Sequence, residues 1–397
     1  MKVPLALPWF DEADEKSVLE TLRSGWVGPG PKVAAFEQQF AEHVGSPYAA
    51  TVSSCTAALH LAVLAAGFGP GDEVLVPAFT WISTPNAVEY AGARPVFCDV
   101  DPVTFNIDMA DAARRITPRT RGIIPVHLFG LAANMRGVEE LAERYKLFVI
   151  EDAACGLGSY YGDRHVGTFG DVGCFSFHPR KSITTGEGGM LTTRREPLDV
   201  TFRSLRDIGS DRAHYSRERA AQQLLPDYAT LGFNYRLTDL QAALGLTQLT
   251  KFNAILKRRL TCARRYQQLI NSSPLREWLQ PPPLPLEREH AYQAYVCRLK
   301  PPDEGEKTLE QWYHRRNCLM QNLYAAGVAT RPGTHAPHLL SYYQNKYKLL
   351  PEDLPQAWRA DWLTIALPLH HQITPEEQNF VLSQLERLWP ETLRELC

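Results

Sequence analysis

The chain carries a lysine in a setting that a surface lysine does not need. Lys181 lies in CFSFHPRKSITTGEGGML (174–191), where an apolar strand pattern runs into hydroxyl residues and glycines. A lysine amine becomes a nucleophile and a base when it loses its proton, and burial and nearby cationic groups promote that loss against a reference pKa of about 10.4. The segment therefore predicts a reactive lysine in a crevice at a strand end.

An acid and an aromatic residue also follow strand patterns. FVIEDAACGLG (148–158) ends its apolar run at Asp152, and PAFTWISTPNAV (77–88) places Trp81 just after a strand end. Ligands of open α/β sheets bind beyond the carboxyl ends of the strands, where Asp152 could meet a ligand and Trp81 could stack on a flat ring. Helix capping by Asp152 and core packing of Trp81 are the alternatives.

Hydroxyl side chains surround the start of one helical pattern. SSCTAALHLA (53–62) places Ser53, Ser54 and Thr56 beside backbone N–H groups that can bind a phosphate, although simple capping uses the same residues. A binding site for pyridoxal 5'-phosphate (PLP) requires a lysine, an acid at a strand end, a helix start that can bind a phosphate, and an aromatic ring that stacks on the cofactor. This sequence contains candidates for all four. The lysine holds the aldehyde of PLP as a Schiff base, and the acid keeps the ring nitrogen of PLP protonated.

The elements that must position these residues predict an α/β fold. From residue 30 to about 195, helical patterns alternate with continuous apolar runs, which favours a mainly parallel sheet covered on both faces. A long helical pattern (237–270) then leads to a segment that mixes strand and helix. We therefore expect a large cofactor-binding domain at 1–250 and a smaller α+β domain at 251–397. The strand patterns are DEVLVPA, RPVFCDV, RGIIPVHLFG, KLFVIEDAA, VGCFSFH and GGMLTTR.

Composition excludes several classes of protein. Of 397 residues, 44% are hydrophobic and 22% are charged, and the net charge of -2 gives no basic field for nucleic acid or an anionic membrane. No apolar run reaches the roughly 18 residues of a membrane span, and MKVPLALPWFDEADEK lacks a signal-peptide core. The eight cysteines include no CxxC pair, so we expect no disulfide framework, no metal site and a reducing cytoplasm.

The motifs resemble the DegT/DnrJ/EryC1/StrS aminotransferases, which act mainly on nucleotide-linked sugars. The likeness covers nearly the whole chain, and its most specific block is SFHPRKSITTGEGG (176–189). Further blocks stand in family order: SGWVGPGPKVAAFEQQFAEHVG, IEDAACGLGSYYGDRHVGTFGD, LGFNYRLTDLQAALGLTQL and LPLHHQITPEEQ. The resemblance implies the fold of aspartate aminotransferase (PLP fold type I) and a homodimer whose active sites lie at the subunit interface.

The resemblance also assigns roles to individual residues. Lys181 resembles the Schiff-base lysine, Asp152 the partner of the ring nitrogen, and Trp81 the residue that stacks on the ring. Asn234 in FNYR resembles an asparagine that reaches the phosphate of the other subunit. Thr56 and Ser176 resemble the phosphate-binding hydroxyls of the family. Arg236 and His338 lie at positions where the family often contacts substrate.

Two residues depart from the family pattern. Many members have Gly where this chain has Cys55, so the Cys55 side chain must point away from a phosphate if its backbone N–H is to bind one. Many members have Gln or His where this chain has Cys155, beside the phenolic oxygen of the cofactor, and a thiol is a poorer donor. Neither departure removes the lysine or the acid. We therefore expect both to affect the fine tuning of the cofactor chemistry or the substrate subgroup, more than the basic reaction.

The expected reaction is a two-step transamination. The family implies that an amino acid, L-glutamate by analogy, gives its nitrogen to PLP, and that the resulting pyridoxamine 5'-phosphate (PMP) aminates a nucleotide-linked 4-keto or 3-keto hexose. A keto-cyclitol or another non-nucleotide ketone would use the same cofactor site. A sugar dehydratase of this family replaces the lysine by histidine, whereas this chain keeps Lys181. A regulatory or scaffold protein would not need an intact lysine, acid and phosphate set.

Overall fold

The computed structural model describes residues 1–211, 226–303 and 305–393. The helices are α1 Glu12–Arg23, α2 Pro31–Val44, α3 Cys55–Ala65, α4 Ser83–Tyr90, α5 Met109–Arg114, α6 Met135–Tyr145, α7 Glu196–Arg206, α8 Asp239–Asn271, α9 Glu306–Ala325, α10 Ser341–Tyr347, α11 Pro355–Leu363 and α12 Pro375–Leu388. The strands are β1 Tyr48–Val52, β2 Glu73–Pro77, β3 Arg94–Cys98, β4 Thr120–Ile123, β5 Phe148–Asp152, β6 Tyr160–Tyr161, β7 Arg164–His165, β8 Val172–Ser176, β9 Gly189–Thr193, β10 Leu279–Gln280, β11 Arg288–Glu289, β12 Tyr295–Leu299 and β13 Thr364–Leu367.

The largest sheet within these ranges has seven strands in the order β1-β9-β8-β5-β4-β2-β3. Strands β3, β2, β4, β5 and β8 are parallel to one another, whereas β9 is antiparallel to both β8 and β1. Strand β1 therefore runs in the same direction as β5 and β8. As a result, the carboxyl ends of β1, β2, β5 and β8 meet at one edge of the sheet, where α/β folds bind ligands.

The sheet is covered on both faces, as its continuous apolar strands predict. In β8, Cys174 packs with Leu59 of α3 in one hydrophobic cluster, and the next residue, Phe175, packs on the opposite face. There the ring of Phe175 meets the ring of Phe40 in α2, with centroids 5.0 Å apart. Alternate side chains thus fix the position of β8 from two sides.

The C-terminal part begins on helix α8, which runs without a break across residue 250. Thr238 and Gln241 form a capping box that starts this helix. Beyond it, β10, β12 and β13 form an antiparallel sheet whose buried side chains share one hydrophobic cluster with those of α9, α11 and α12. The two predicted domains, 1–250 and 251–397, stay a prediction.

The predicted fold class is confirmed, and each quoted strand pattern forms a strand. Strand β1 was not predicted, nor were the short strands β6 and β7. In the parts of the chain that the structure describes, no helix combines the length and apolar character of a membrane crossing.

Candidate active site

A cavity of about 740 Å³ opens at the sheet edge where strands β1, β2, β5 and β8 end. Residues that follow each of these four strands line the cavity, because the strands run in the same direction. Among the residues that line it are Cys55, Thr56, Trp81, Asp152, Cys155, Ser176 and Lys181, all of them sequence predictions.

Lys181 lies in the loop that joins β8 to β9, and the small polar residues of its motif close that loop. Phe177 is the anchor: its N–H donates to the Gly188 carbonyl at 2.9 Å, and its carbonyl accepts from the Thr184 hydroxyl at 2.8 Å and the Thr185 N–H at 3.0 Å. Gly186 has φ +82°, a conformation that L side chains rarely adopt. The hydroxyls and glycines around Lys181 therefore hold its backbone.

The amine of Lys181 points toward the strand-end residue Cys155. The Lys181 Nζ donates to the Cys155 Sγ at 3.2 Å. Cys155 follows β5 and Lys181 follows β8, so the contact depends on the parallel pairing of those two strands. Any group that bonds to Lys181 would lie next to this thiol.

Asp152 is buried at the end of β5, and its carboxylate has two donors. Its Oδ2 accepts from the Thr84 hydroxyl at 2.7 Å, and its Oδ1 accepts from the Ala154 N–H at 3.1 Å. Burial raises the pKa of Asp152, and the bond from Thr84 opposes that rise. A protonated ring nitrogen in the cavity would stabilise the ionised carboxylate further.

The N-terminus of α3 supplies donors for an anion. Ser54 caps the helix by accepting from the Ala57 N–H at 3.1 Å, which leaves the N–H groups of Cys55 and Thr56 without intrahelical acceptors. The Thr56 and Ser83 hydroxyls lie 2.8 Å apart. The Cys55 side chain turns into the sheet, where its Sγ donates to the Cys174 carbonyl at 3.6 Å.

Trp81 offers a broad apolar surface to the cavity. It is 50% exposed, although tryptophan usually buries most of its surface, and its ring meets His335 edge-on with centroids 5.5 Å apart. The Thr80 N–H donates to the His335 carbonyl at 3.0 Å, which fixes this contact. The ring is thus held in place but remains open to a ligand.

Three predicted residues do not line the cavity. Asn234 is exposed, and Arg236 forms an ion pair with Asp207 at 2.6 Å. His338 is fully buried beside Phe97, and burial lowers its pKa to about 4. Their assigned roles toward a partner subunit or a substrate stay predictions.

Sequence reasoning missed the C-terminal wall of the cavity. Tyr313, Arg316, Arg331, His335 and Asp361 line it, and they come from α9, from a turn after it, and from α11. Burial raises the pKa of Asp361 to about 6, and the charge of Arg316 opposes the rise. The only signal in the sequence was the Pro-Gly turn after Arg331, which marks a sharp change in chain direction.

The residues fit PLP in chemical type. The cavity brings together an amine, a buried acid, a cluster of hydroxyl and N–H donors, and an exposed indole, which are the groups that the aldehyde, ring nitrogen, phosphate and ring face require. Among the described residues, no group of three or more His, Cys, Asp and Glu could hold a metal ion.

Comparison with known families decides the assignment. The DegT/DnrJ/EryC1/StrS aminotransferase family matches residues 8–386. The chain belongs to this family. It is therefore a PLP-dependent aminotransferase, and both its fold and its cofactor agree with the expectations from the sequence.

Similar proteins cover nearly the whole chain. The spore coat polysaccharide biosynthesis protein SpsC of Bacillus subtilis is 36% identical over 381 residues, which are 96% of this chain and 95% of SpsC. The GDP-perosamine synthase of Caulobacter vibrioides is 36% identical over 390 residues, which are 98% of each protein. The PMP form of Spr1654 from Streptococcus pneumoniae superimposes with a TM-score of 0.90 at 28% identity, covering 98% of this chain and 100% of Spr1654. Spr1654 also has a PLP form, with a TM-score of 0.89.

Proposed function

We propose that this enzyme transfers the amino group of L-glutamate to a nucleotide-linked 4-keto or 3-keto hexose. The observation that carries the proposal is the shape of the cavity, which extends from Lys181 to the polar wall at Tyr313, Arg316 and Asp361. A cofactor alone would not need that second wall. The name of the relative GDP-perosamine synthase, which points to a nucleotide-linked sugar, supports the same class of acceptor.

Lys181 moves the proton in both steps of this reaction. When bound, the cofactor supplies an aldehyde that takes up the amino group and a ring that accepts electron density. Lys181 lies in the hydrogen-bonded loop between β8 and β9. It removes the proton from the donor's α-carbon and later gives a proton to the acceptor carbon. Its contact with Cys155 keeps the amine on the reacting side of the cavity.

Asp152 holds the proton on the ring nitrogen. Its carboxylate is buried and already hydrogen-bonded to Thr84, so it cannot rotate away from the position that the strand end gives it. An anion fixed in a site with little water stabilises the positive charge of that nitrogen more strongly than it would in water.

The C-terminal wall binds the hydroxyl groups of the acceptor. Tyr313 can donate and accept hydrogen bonds, and Asp361 is ionised above its pKa of about 6 and then accepts from hydroxyls. This wall excludes water from the acceptor, and its residues are separate from those that hold the cofactor.

We also propose a homodimer with shared sites. Asn234 is exposed, and so are large apolar residues beside its bridge to Asp207 or close to it in sequence: Ile208 is 47%, Tyr228 51% and Leu231 88% exposed. A patch of that kind is typical of an interface. In such a dimer, Asn234 would reach the phosphate bound by the second subunit.

The test uses absorbance of the cofactor-loaded protein. We expect L-glutamate to convert the visible band of the lysine-bound cofactor to the near-ultraviolet band of PMP, and nucleotide-linked keto hexoses to reverse the change. Lys181→Ala should keep the fold but show neither conversion. Reversal by a keto-cyclitol, and not by any nucleotide-linked sugar, would replace the proposed acceptor. A fully active Lys181→Ala variant would contradict the mechanism.

A further inference from the structure

Two nucleophilic side chains of the cavity touch each other. The Lys181 amine donates to the Cys155 sulfur at 3.2 Å, and both residues line the cavity. Their backbones are held in place, because β5 and β8 pair in parallel before them and the Lys181 N–H donates to the His178 carbonyl at 2.8 Å. The lysine side chain is flexible, so its amine can approach the sulfur further. An amine and a thiol at this distance can be joined by oxidation, since a nitrogen can attack an oxidised sulfur.

The thiol of Cys155 is accessible and has cationic neighbours. The free cysteines that the structure describes are buried, except for Cys155 and Cys262. Burial lowers the pKa of Arg331 and of Arg259, and the Cys155 thiol opposes both shifts, so the two guanidinium charges lie close enough to act on the sulfur. Lys181 contacts the sulfur directly. Peroxides react with cysteines that are partly exposed and lie in cationic surroundings.

The state of Lys181 alternates during the reaction. In the PLP form its amine is bonded to the cofactor aldehyde, whereas in the PMP form the cofactor carries the amino group and the lysine amine is free. The free amine must lose its proton to act as a base, and the same loss makes it a nucleophile. The PMP form is therefore the state in which the amine and the Cys155 thiol are both available.

We propose that Lys181 and Cys155 form a modification site, at which hydrogen peroxide joins them by a reversible nitrogen–sulfur bond. In the first step, the sulfur attacks a peroxide oxygen, the O–O bond breaks, and Cys155 becomes a sulfenic acid while water leaves. In the second step, the Lys181 amine attacks the sulfur, the N–S bond forms, and the S–O bond breaks. The oxygen leaves as water with a proton from the amine. The sulfur is oxidised by two electrons, and the peroxide is reduced to two molecules of water.

The bond stops the enzyme in one state. While the Lys181 nitrogen is bonded to sulfur, it can neither bond to the cofactor nor move a proton, so the acceptor step is blocked. A dithiol reverses the change, because it reduces the N–S bond to a free amine and a free thiol and itself becomes a disulfide. The bond also prevents further oxidation of Cys155 to sulfinic and sulfonic acids, which is irreversible. This inference depends on the cofactor and not on the identity of the amino donor or the acceptor.

The test compares two forms of the wild-type protein. Apoprotein is loaded with PLP or directly with PMP, treated with hydrogen peroxide and digested with trypsin without reductant. Mass spectrometry should find the peptide 147–164, which contains Cys155, linked to the peptide 181–194, since trypsin does not cleave after a modified Lys181. The linked mass should be lower than the sum of the two peptides by two hydrogen atoms, and dithiothreitol should separate them. We expect about 10-fold more of the linked peptides from the PMP form, in which the amine is free.

The second readout is the visible band of the lysine-bound cofactor. The peroxide-treated PMP form is freed of PMP and mixed with PLP. Because the Lys181 nitrogen is occupied, the visible band should stay on the order of 10-fold weaker than in untreated protein, and dithiothreitol should restore it.

Cys262 provides a matched control. It is partly exposed like Cys155, and Arg259 is the first of its cationic neighbours, but its sulfur faces the Ile373 carbonyl at 3.9 Å where Cys155 faces an amine. Cys262→Ser should give the same linked peptides as the wild type, whereas Cys155→Ser and Lys181→Ala should give none. In Lys181→Ala, peroxide should oxidise Cys155 further to the sulfinic acid.

Three outcomes would overturn the proposal. Equal amounts of linked peptides in the PLP and PMP forms would show that the free amine is not the reacting group. A sulfinic acid at Cys155 without the link, or a disulfide between Cys155 and another cysteine, would exclude the nitrogen–sulfur bond. These measurements use neither an amino donor nor an acceptor, so their failure is distinct from failure of the proposed transamination.

Discussion

Strand β9 passes so close to the start of helix α3 that residue 189 has no room for a side chain. A Cβ atom on Gly189 would lie 2.5 Å from the carbonyl carbon and oxygen of Ser54 and 2.7 Å from the nitrogen of Cys55. All three are backbone atoms, which cannot rotate away as the end of a side chain can. Gly189→Ala must therefore displace the helix start that we place around the cofactor phosphate.

The size of the displacement follows from the contact distance. Non-bonded heavy atoms are best separated by about 3.5–4.0 Å, so the Ala methyl at 2.5 Å requires a shift of about 1 Å. Overpacking of this kind costs about 1–3 kcal/mol of folding free energy. A misplacement of about 1 Å in a catalytic arrangement can reduce the rate on the order of 100-fold.

Two measurements on Gly189→Ala separate these effects. The dissociation constant of PLP is obtained by titrating the apoprotein, and the rate of the L-glutamate step is obtained from the cofactor bands. We expect weaker cofactor binding and a rate on the order of 100-fold lower than wild type. Gly69→Ala is the matched control, since its Cβ would meet only the Ala91 carbonyl oxygen, at 4.0 Å. Wild-type cofactor affinity and rate in Gly189→Ala would refute the placement of the phosphate at α3.

Two further substitutions test the carboxyl groups of Asp152 and Glu37, whose pKa values change when the chain folds. Burial raises the pKa of Asp152, so the folded apoprotein keeps this proton to a higher pH than the unfolded chain and loses stability as the pH rises through that pKa. Asp152→Asn should therefore melt at a higher temperature than wild-type apoprotein at pH 8, with a smaller difference at pH 4, while turnover falls severely; near-normal turnover would contradict its role. Burial alone would raise the pKa of Glu37, but Arg206 and Arg203 lower it from 4.5 to about 2. The ionised form therefore stabilises the fold above pH 4.5, and this contribution is lost as the pH falls toward 2. Glu37→Gln should lower the free energy of unfolding by about 3 kcal/mol between pH 5 and 7 in urea titrations, and an unchanged urea midpoint would show that the two arginines do not depend on this partner.

The sequence predicted the sheet where local pattern decides structure. Strands β2, β5 and β8 are buried on both faces and are rich in Val, Ile, Leu and Phe, so each appears as an apolar run. Strand β1, YAATV, contains two alanines, which are depleted in strands, and only three residues separate it from the end of α2. Its strand state depends on pairing with β9, as in Ala50 opposite Leu191, which is a contact between distant parts of the chain.

The C-terminal wall could not be predicted for a related reason. Arg331 and Asp361 belong to a chain with 42 basic and 44 acidic residues, and neither stands in a motif that sets it apart. Arg331 reaches the cavity through the register of the small sheet, where it bridges to Ala366 of β13, and Asp361 reaches it from helix α11, which leads into β13. That register is set by tertiary packing, so a pattern of local residue types contains little information about it.

The difference between the two walls has a chemical origin. An aldehyde, a ring nitrogen and a phosphate each demand one kind of partner, so the cofactor half must keep an amine at Lys181, an acid at Asp152 and donors at the start of α3. Sugar hydroxyls both donate and accept hydrogen bonds, and many polar side chains can satisfy them. The acceptor half therefore constrains geometry more than residue type.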